Sequence, residues 1–100
     1  MGDFEQLIQD IEAEARAEGP AAVAELAALE ARFTLAAELI ARRTGLGMTQ
    51  KQLASASGIG QSEISRIERG EINPTVQTLG RLLLPLGARL AVAPVESKVA

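Results

Sequence analysis

One hundred residues, 47% of them apolar but only Phe4 and Phe33 aromatic, suffice for one compact domain with a core of Leu, Ile, Val and Ala and an appended helix. The absence of Cys and His excludes disulfides, thiolate and imidazole metal sites, and Ser-His or Cys-His catalysis. The net charge of −3 is unevenly spread: residues 1–38 carry nine acids against Arg16 and Arg32, while residues 39–100 carry eight bases against four acids, so the halves are expected to meet different partners.

The chain opens with MGDFEQLIQD, which is acidic and lacks the basic flank and apolar run of a secretion signal. No apolar stretch is long enough to span a bilayer, so the expected location is the cytoplasm, away from the membrane. Phe4, Leu7, Ile8, Ile11 and Ala15 recur at helical spacing and predict an amphipathic helix, with Asp3 as its N-cap. Gly19-Pro20 ends it and opens the next. Residues 21–44 read as helix again, with Leu26, Leu29, Phe33, Ala36 or Ala37, and Ile40 as the apolar stripe. Thr34 is an internal N-cap candidate, so this stretch is either one helix or two meeting near Phe33. Gly45 and Gly47 end it.

Three short helices follow. Thr49 and Gln52 form a capping box for the first, which runs through Ser57. Gly58-Ile59-Gly60 is a tight turn. Gln61 to Arg69 is the second helix, stopped by Gly70. Asn73-Pro74 restarts the chain, and Thr75 to about Leu86 is the third. Pro85 falls inside that span, and an interior Pro costs ~3 kcal/mol, so the helix ends near Leu84 or kinks there. Residues 88–95 alternate like a short strand, and residues 96–100 read as a frayed end.

Residues 49–70, TQKQLASASGIGQSEISRIERG, carry the specific signal. Ala54 stands where two steeply crossed helices approach closely. Gly58 supplies the left-handed backbone of the sharp turn. Leu53, Ile59, Ile64 and Ile67 point inward, which leaves a polar outer face able to donate and accept hydrogen bonds in a major groove. Here the chain resembles the lambda-repressor-like (Cro-type, XRE) helix-turn-helix family. Thr49-Gln50, Leu53-Ala54, Gly58, Gln61, Ile64-Ser65, Glu68, Gly70, Asn73-Pro74 and Thr78-Leu79 fit its pattern without a gap, over roughly Leu35 to Gly87.

The resemblance implies a mainly all-α fold: a five-helix DNA-binding domain at 34–87, an acidic N-terminal helical extension at 1–33, and a C-terminal segment at 88–100 holding the strand. It implies that Gln61, Ser62, Ser65 and Arg66 read base edges of an operator. Gln50, Lys51, Arg69, Asn73 and Thr75 are then phosphate contacts, with Gln50 also steadying Gln61. Arg42 and Arg43 are weaker candidates for the same phosphates. Glu68 is expected to pair within the domain with an Arg or a backbone amide. Glu63 either accepts from cytosine or points away. Gly60 replaces the usual Ser or Thr cap, at about a few tenths of a kcal/mol.

The whole chain is also similar to HigA-type antitoxins, through its size, its acidic extension and the ending TLGRLLLPLGARLAVAP. That likeness implies a RelE/HigB-like RNase toxin as partner, repression of the chain's own operon, and a toxin surface at Phe4, Leu7, Ile8 and Ile11. Homodimerisation is expected, because two copies read half-sites about one helical turn apart and a strand from Arg89 to Val95 would pair with its copy; the alternatives are a strand packed on its own core or no strand at all. The alternative is a plain dimeric repressor of phage or chromosomal origin with no toxin. A Ser-Lys hydrolase or self-cleaving repressor is set aside, because two lysines and no room for a catalytic domain leave no catalytic residues, cofactor or metal to expect.

Overall fold

The computed structural model describes residues 2–95, and their regular structure is all helical. In chain order the elements are α1 (Gly2–Glu18), α2 (Pro20–Gly45), α3 (Gln50–Ser57), α4 (Gln61–Glu68) and α5 (Val76–Leu83). The all-α expectation holds, with five helices in all counting the extension, where five were expected in the DNA-binding domain beside it. α1 and most of α2 form the acidic arm. The last turns of α2 join α3, α4 and α5 around the main core.

α1 ends where expected. Gly19 sits at φ 115°, a backbone region that suits glycine, and Pro20 occupies the first turn of α2. Asp3 lies inside the first turn of α1, together with Glu5, and not before it. Their charges there oppose the positive end of the helix. α2 is one helix of 26 residues, so Thr34 caps nothing and the chain crosses residues 33–34 without a break. At about 1.5 Å per residue it is ~39 Å long and sets the 45 Å long axis of the molecule.

α2 serves two neighbours with different stretches. Its first half lies antiparallel to α1, where Ala15 is buried and Leu26 half-buried. Its second half turns Ala36 and Leu39 into the domain, with Leu35 beside them. The expected stripe therefore holds only in part. Leu29, Phe33 and Ile40 are exposed, because the helix changes the neighbour it faces part-way along.

The main core is Leu39, Leu53, Ile59, Ile64, Ile67, Leu79, Leu82, Leu83 and Leu86, ringed by Leu35, Met48, Ala54, Ile72 and Ala88. Each side chain buried this completely contributes roughly 1.5–3 kcal/mol of transfer free energy. Thr49 makes the expected capping box with Gln52, at 3.0 Å and 2.8 Å. Thr75 caps α5 by accepting from the Thr78 amide at 3.1 Å.

α5 stops at Leu83 with Leu84 as its C-cap, so of the two outcomes expected from Pro85 the helix ends there and does not run on to Leu86. Pro85 sits in the following turn, closed by the Gly87 amide donating to the Leu84 carbonyl at 3.1 Å. Pro suits that second turn position, and the turn still buries Leu86 completely. Residues 88–95 form no strand, which corrects the strand reading. Within one copy no neighbouring strand lies beside this segment, and a strand without a ladder is not stable. Residues 96–100 lie outside the described residues. No helix among the described residues is long and apolar enough to cross a membrane.

Candidate nucleic-acid interface

The turn between α3 and α4 depends on Gly58, which takes φ 75° and closes α3 by donating its amide to Ala54 at 3.0 Å. Any L-residue with a Cβ is disfavoured there. Ser57 acts as a helix-end residue: its Oγ accepts from the Ile59 amide at 3.1 Å, and Ile59 drops into the core. α3 and α4 are locked by the inward row of Leu53, Ile59, Ile64 and Ile67, all buried as expected.

The outer face of α4 is what remains. Gln61, Ser62, Arg66 and Arg69 are exposed and Ser65 is half-buried, opposite Ile64 and Ile67. Spacings of four residues (61, 65, 69 and 62, 66) put them on one side of the helix. No side chain caps α4 at Gly60. Its first-turn amides therefore lack a side-chain acceptor at the end that carries Gln61 and Ser62. Lys51 is exposed at the start of α3, and Glu63 is half-buried.

Beneath this face lies a buried polar network that links α2, α3 and α4. Arg43 donates from Nε to Glu68 Oε2 at 2.7 Å and from Nη2 to Oε1 at 2.9 Å, and its Nη1 reaches the Met48 carbonyl at 2.8 Å. Gln50 Nε2 donates to the same Glu68 Oε1 at 3.0 Å. Glu68 is only 8% exposed. Burial pushes its carboxyl up, but the hydrogen bonds from Arg43 and Gln50 and the charge of Arg43 outweigh that and hold it below the ordinary carboxylate value. The hydrogen bond to Glu68 raises Arg43 in return, against the opposing effect of burial.

This network changes three sequence expectations. Arg43 is an internal cation, its side chain 12% exposed and turned to Glu68 and Met48, which points it away from the phosphate role expected for it. Arg42 turns to the carbonyls of Leu86 and Gly87 at 2.7 Å and 3.5 Å, tying α2 to the turn after α5. Gln50 supports the base of α4 through Glu68 and not through Gln61, since a buried carboxylate is the stronger acceptor. Glu68 pairs with an Arg, as expected.

Beyond α4 the chain reverses at Gly70, φ 71°, and Phe33 of α2 covers it. A Cβ on Gly70 would stand 2.6 Å from the Phe33 ring. Beside it Arg32 Nη1 approaches Asn73 Oδ1 at 3.5 Å. Arg69 folds onto its own neighbours: Nε to Glu71 Oε2 at 2.7 Å, Nη2 to Oε1 at 3.4 Å, and Nη1 to Ser65 Oγ at 3.0 Å. Asn73 and Thr75 are exposed next to this turn. The Phe33–Gly70 and Arg69–Glu71 contacts were missed in the sequence. The only signal for the second is a carboxylate two residues past an Arg, across a glycine.

The acidic arm presents a different surface. Phe4 is 70% exposed, and Leu7, Ile8 and Ile11 are exposed beside it. Phe4, Ile8 and Ile11 line an open groove of about 590 Å³ with Leu26, Leu29 and Phe33, and the only ionisable groups in its wall are Glu12 and Glu30.

Residues 39–92 of the chain, just over half of it, match the helix-turn-helix family. The chain is 48% identical over 67 residues to a protein of Haemophilus influenzae described as an uncharacterised HTH-type transcriptional regulator, a stretch covering 67% of this chain and 68% of that one. It is 46% identical over 41 residues to another so described, from Sinorhizobium fredii, covering 41% of this chain and 53% of that one. No solved structure matches.

Proposed function

From the premise that this chain belongs to the helix-turn-helix family of DNA-binding transcriptional regulators, we propose that it is a homodimeric repressor that reads its operator through the outer face of α4. The observation that carries this reading is the sorting of α4: Ile64 and Ile67 are buried, while Gln61, Ser62, Ser65 and Arg66 share the other side. Gln61 and Ser62 open the helix, where base edges come within reach. A Gln pairs bidentately with adenine N6 and N7, worth about 1–3 kcal/mol of discrimination. Lys51, Arg69, Asn73 and Thr75, with Gln50 at the start of α3, hold the duplex backbone and set the register. Two copies read half-sites ~34 Å apart. The test is a titration of the DNA upstream of the chain's own gene against a mixed-sequence duplex of equal length. Preference for the upstream DNA supports the reading, and equal affinity sinks it.

The finer reading is an antitoxin that neutralises a RelE/HigB-like RNase toxin and represses the operon encoding both. It divides the labour among 1–33 for the toxin, 34–87 for the operator and 88–100 for the dimer. The support is a row of exposed apolar side chains, Phe4, Leu7, Ile8 and Ile11, on a helix rich in carboxylates. Such a surface suits a basic partner. Deleting residues 1–18 is then expected to abolish rescue of growth from the neighbouring gene's product while sparing operator binding. Retained rescue moves the toxin surface elsewhere, and no toxicity from the neighbour leaves the plain repressor.

A further inference from the structure

Lys51, Arg66 and Arg69 are the exposed cations of α3, α4 and the residue that ends α4. Arg69 differs from the other two in already being paired. Its Nε and Nη2 face the two carboxylate oxygens of Glu71 at 2.7 Å and 3.4 Å, and its Nη1 is taken by Ser65 Oγ. This is the forked arrangement an Arg offers to a phosphate. The pair is a product of the turn. Gly70, at φ 71° under the Phe33 ring, reverses the chain between Arg69 and Glu71 and brings the two side chains together. Arg69 is 57% and Glu71 50% exposed, so water screens the pair and a stronger anion can exchange into it.

We propose that Glu71 is an affinity-setting residue: its carboxylate occupies the Arg69 guanidinium in the free protein, and the DNA backbone must displace it to engage that arginine. The proposal rests on Arg69 belonging to the phosphate contacts. Its consequence is a low affinity for DNA at large. One of three exposed cations near the reading face is quenched until a duplex is seated well enough to compete. A regulator that must ignore most of a genome gains from weak backbone affinity, since non-specific binding is almost wholly electrostatic.

The test is a double-mutant cycle on the full chain, Glu71→Gln and Arg69→Gln, singly and together. Binding to a mixed-sequence duplex and to the DNA upstream of the gene is followed by fluorescence anisotropy over a salt series. Thermal melts check that all variants fold. Glu71→Gln is expected to tighten binding about two- to fivefold at low salt, the range of a surface ion pair. It should steepen the salt slope by about one ion, and do neither in the Arg69→Gln background. Equal tightening in both backgrounds overturns the proposal, because Glu71 then acts by plain repulsion of phosphates. Unchanged or weaker binding of Glu71→Gln overturns it too, because Glu71 then presents Arg69 rather than restraining it. If Arg69→Gln alone leaves affinity and slope as they were, the phosphate role beneath the proposal fails, and the proposal with it.

Discussion

The two halves of the chain solve the same folding problem differently. From Leu35 onward the helices bury their apolar faces in one another, around Leu53, Ile64, Ile67, Leu82 and Leu86. Before Leu35 the only buried hydrophobic residue among the described residues is Ala15, and Phe4, Leu7, Ile8, Ile11, Leu29 and Phe33 remain open to water. Both halves are amphipathic helices of ordinary composition. An apolar stripe announces that something covers it, but not whether the cover lies within the chain. The second half closes a core of its own and leaves the polar face of α4 outward, although Val76, Leu84, Leu90, Val92 and Val95 are exposed there too. The first half has an apolar face left over, which is the reason for assigning it a protein partner.

Stability measurements break or sharpen this contrast. Leu82 is 1% exposed, and Leu82→Ala is expected to cost about 2–5 kcal/mol in urea unfolding. Phe4→Ala removes a larger side chain at a cost within about 0.5 kcal/mol, because it empties no core. Similar losses at the two sites would mean that the arm shares the core of the DNA-binding half.

Arg43→Ala comes next, at about 3 kcal/mol at neutral pH, since it strands the buried Glu68 carboxylate. Its sign with pH is specific. In the native chain Glu68 is held below its ordinary value, so its stabilising contribution is present above the carboxylate range and is lost as pH falls through that range. Without Arg43, burial raises the Glu68 carboxyl, so the variant gains on the native chain as pH falls. The gap between them is expected to narrow in acid, and a constant gap would show that the ion pair is not its source.

Gly70→Ala is expected to cost less than Leu82→Ala or Arg43→Ala, at about 1–2 kcal/mol for a left-handed alanine, part of it from the displaced Phe33 ring. It also tests the one direct contact described between Phe33 of the arm side and the turn after α4. If Phe33→Ala in the same background recovers nothing, that contact adds nothing to the strain.

Much of this was legible in the sequence because local chemistry dictates it. The Thr49 capping box, Gly58 in the left-handed region, and the inward set of Leu53, Ile59, Ile64 and Ile67 follow from residue type and spacing, and the structure has all of them. What sequence could not supply was the identity of distant partners. Arg42 and Arg43 are adjacent and alike as letters. One finds the carbonyls of Leu86 and Gly87, the other a carboxylate 25 residues away. Thr34 misleads for a related reason, whereas Pro85 marks the end of α5 as expected. A cap residue can sit inside a helix held by its neighbours. The strand at 88–95 was read from alternation alone, and alternation provides no neighbouring strand.

The central claim is that the outer face of α4 reads sequence, and Gln61 tests it most directly. Gln61→Ala is to be titrated against the operator and against operators changed at single base pairs, beside the native chain. The account predicts that the variant loses about 1–3 kcal/mol of preference at one position in each half-site while keeping weak, salt-sensitive binding to any duplex. An unchanged preference at every position would contradict it, and would take the reading helix away from α4.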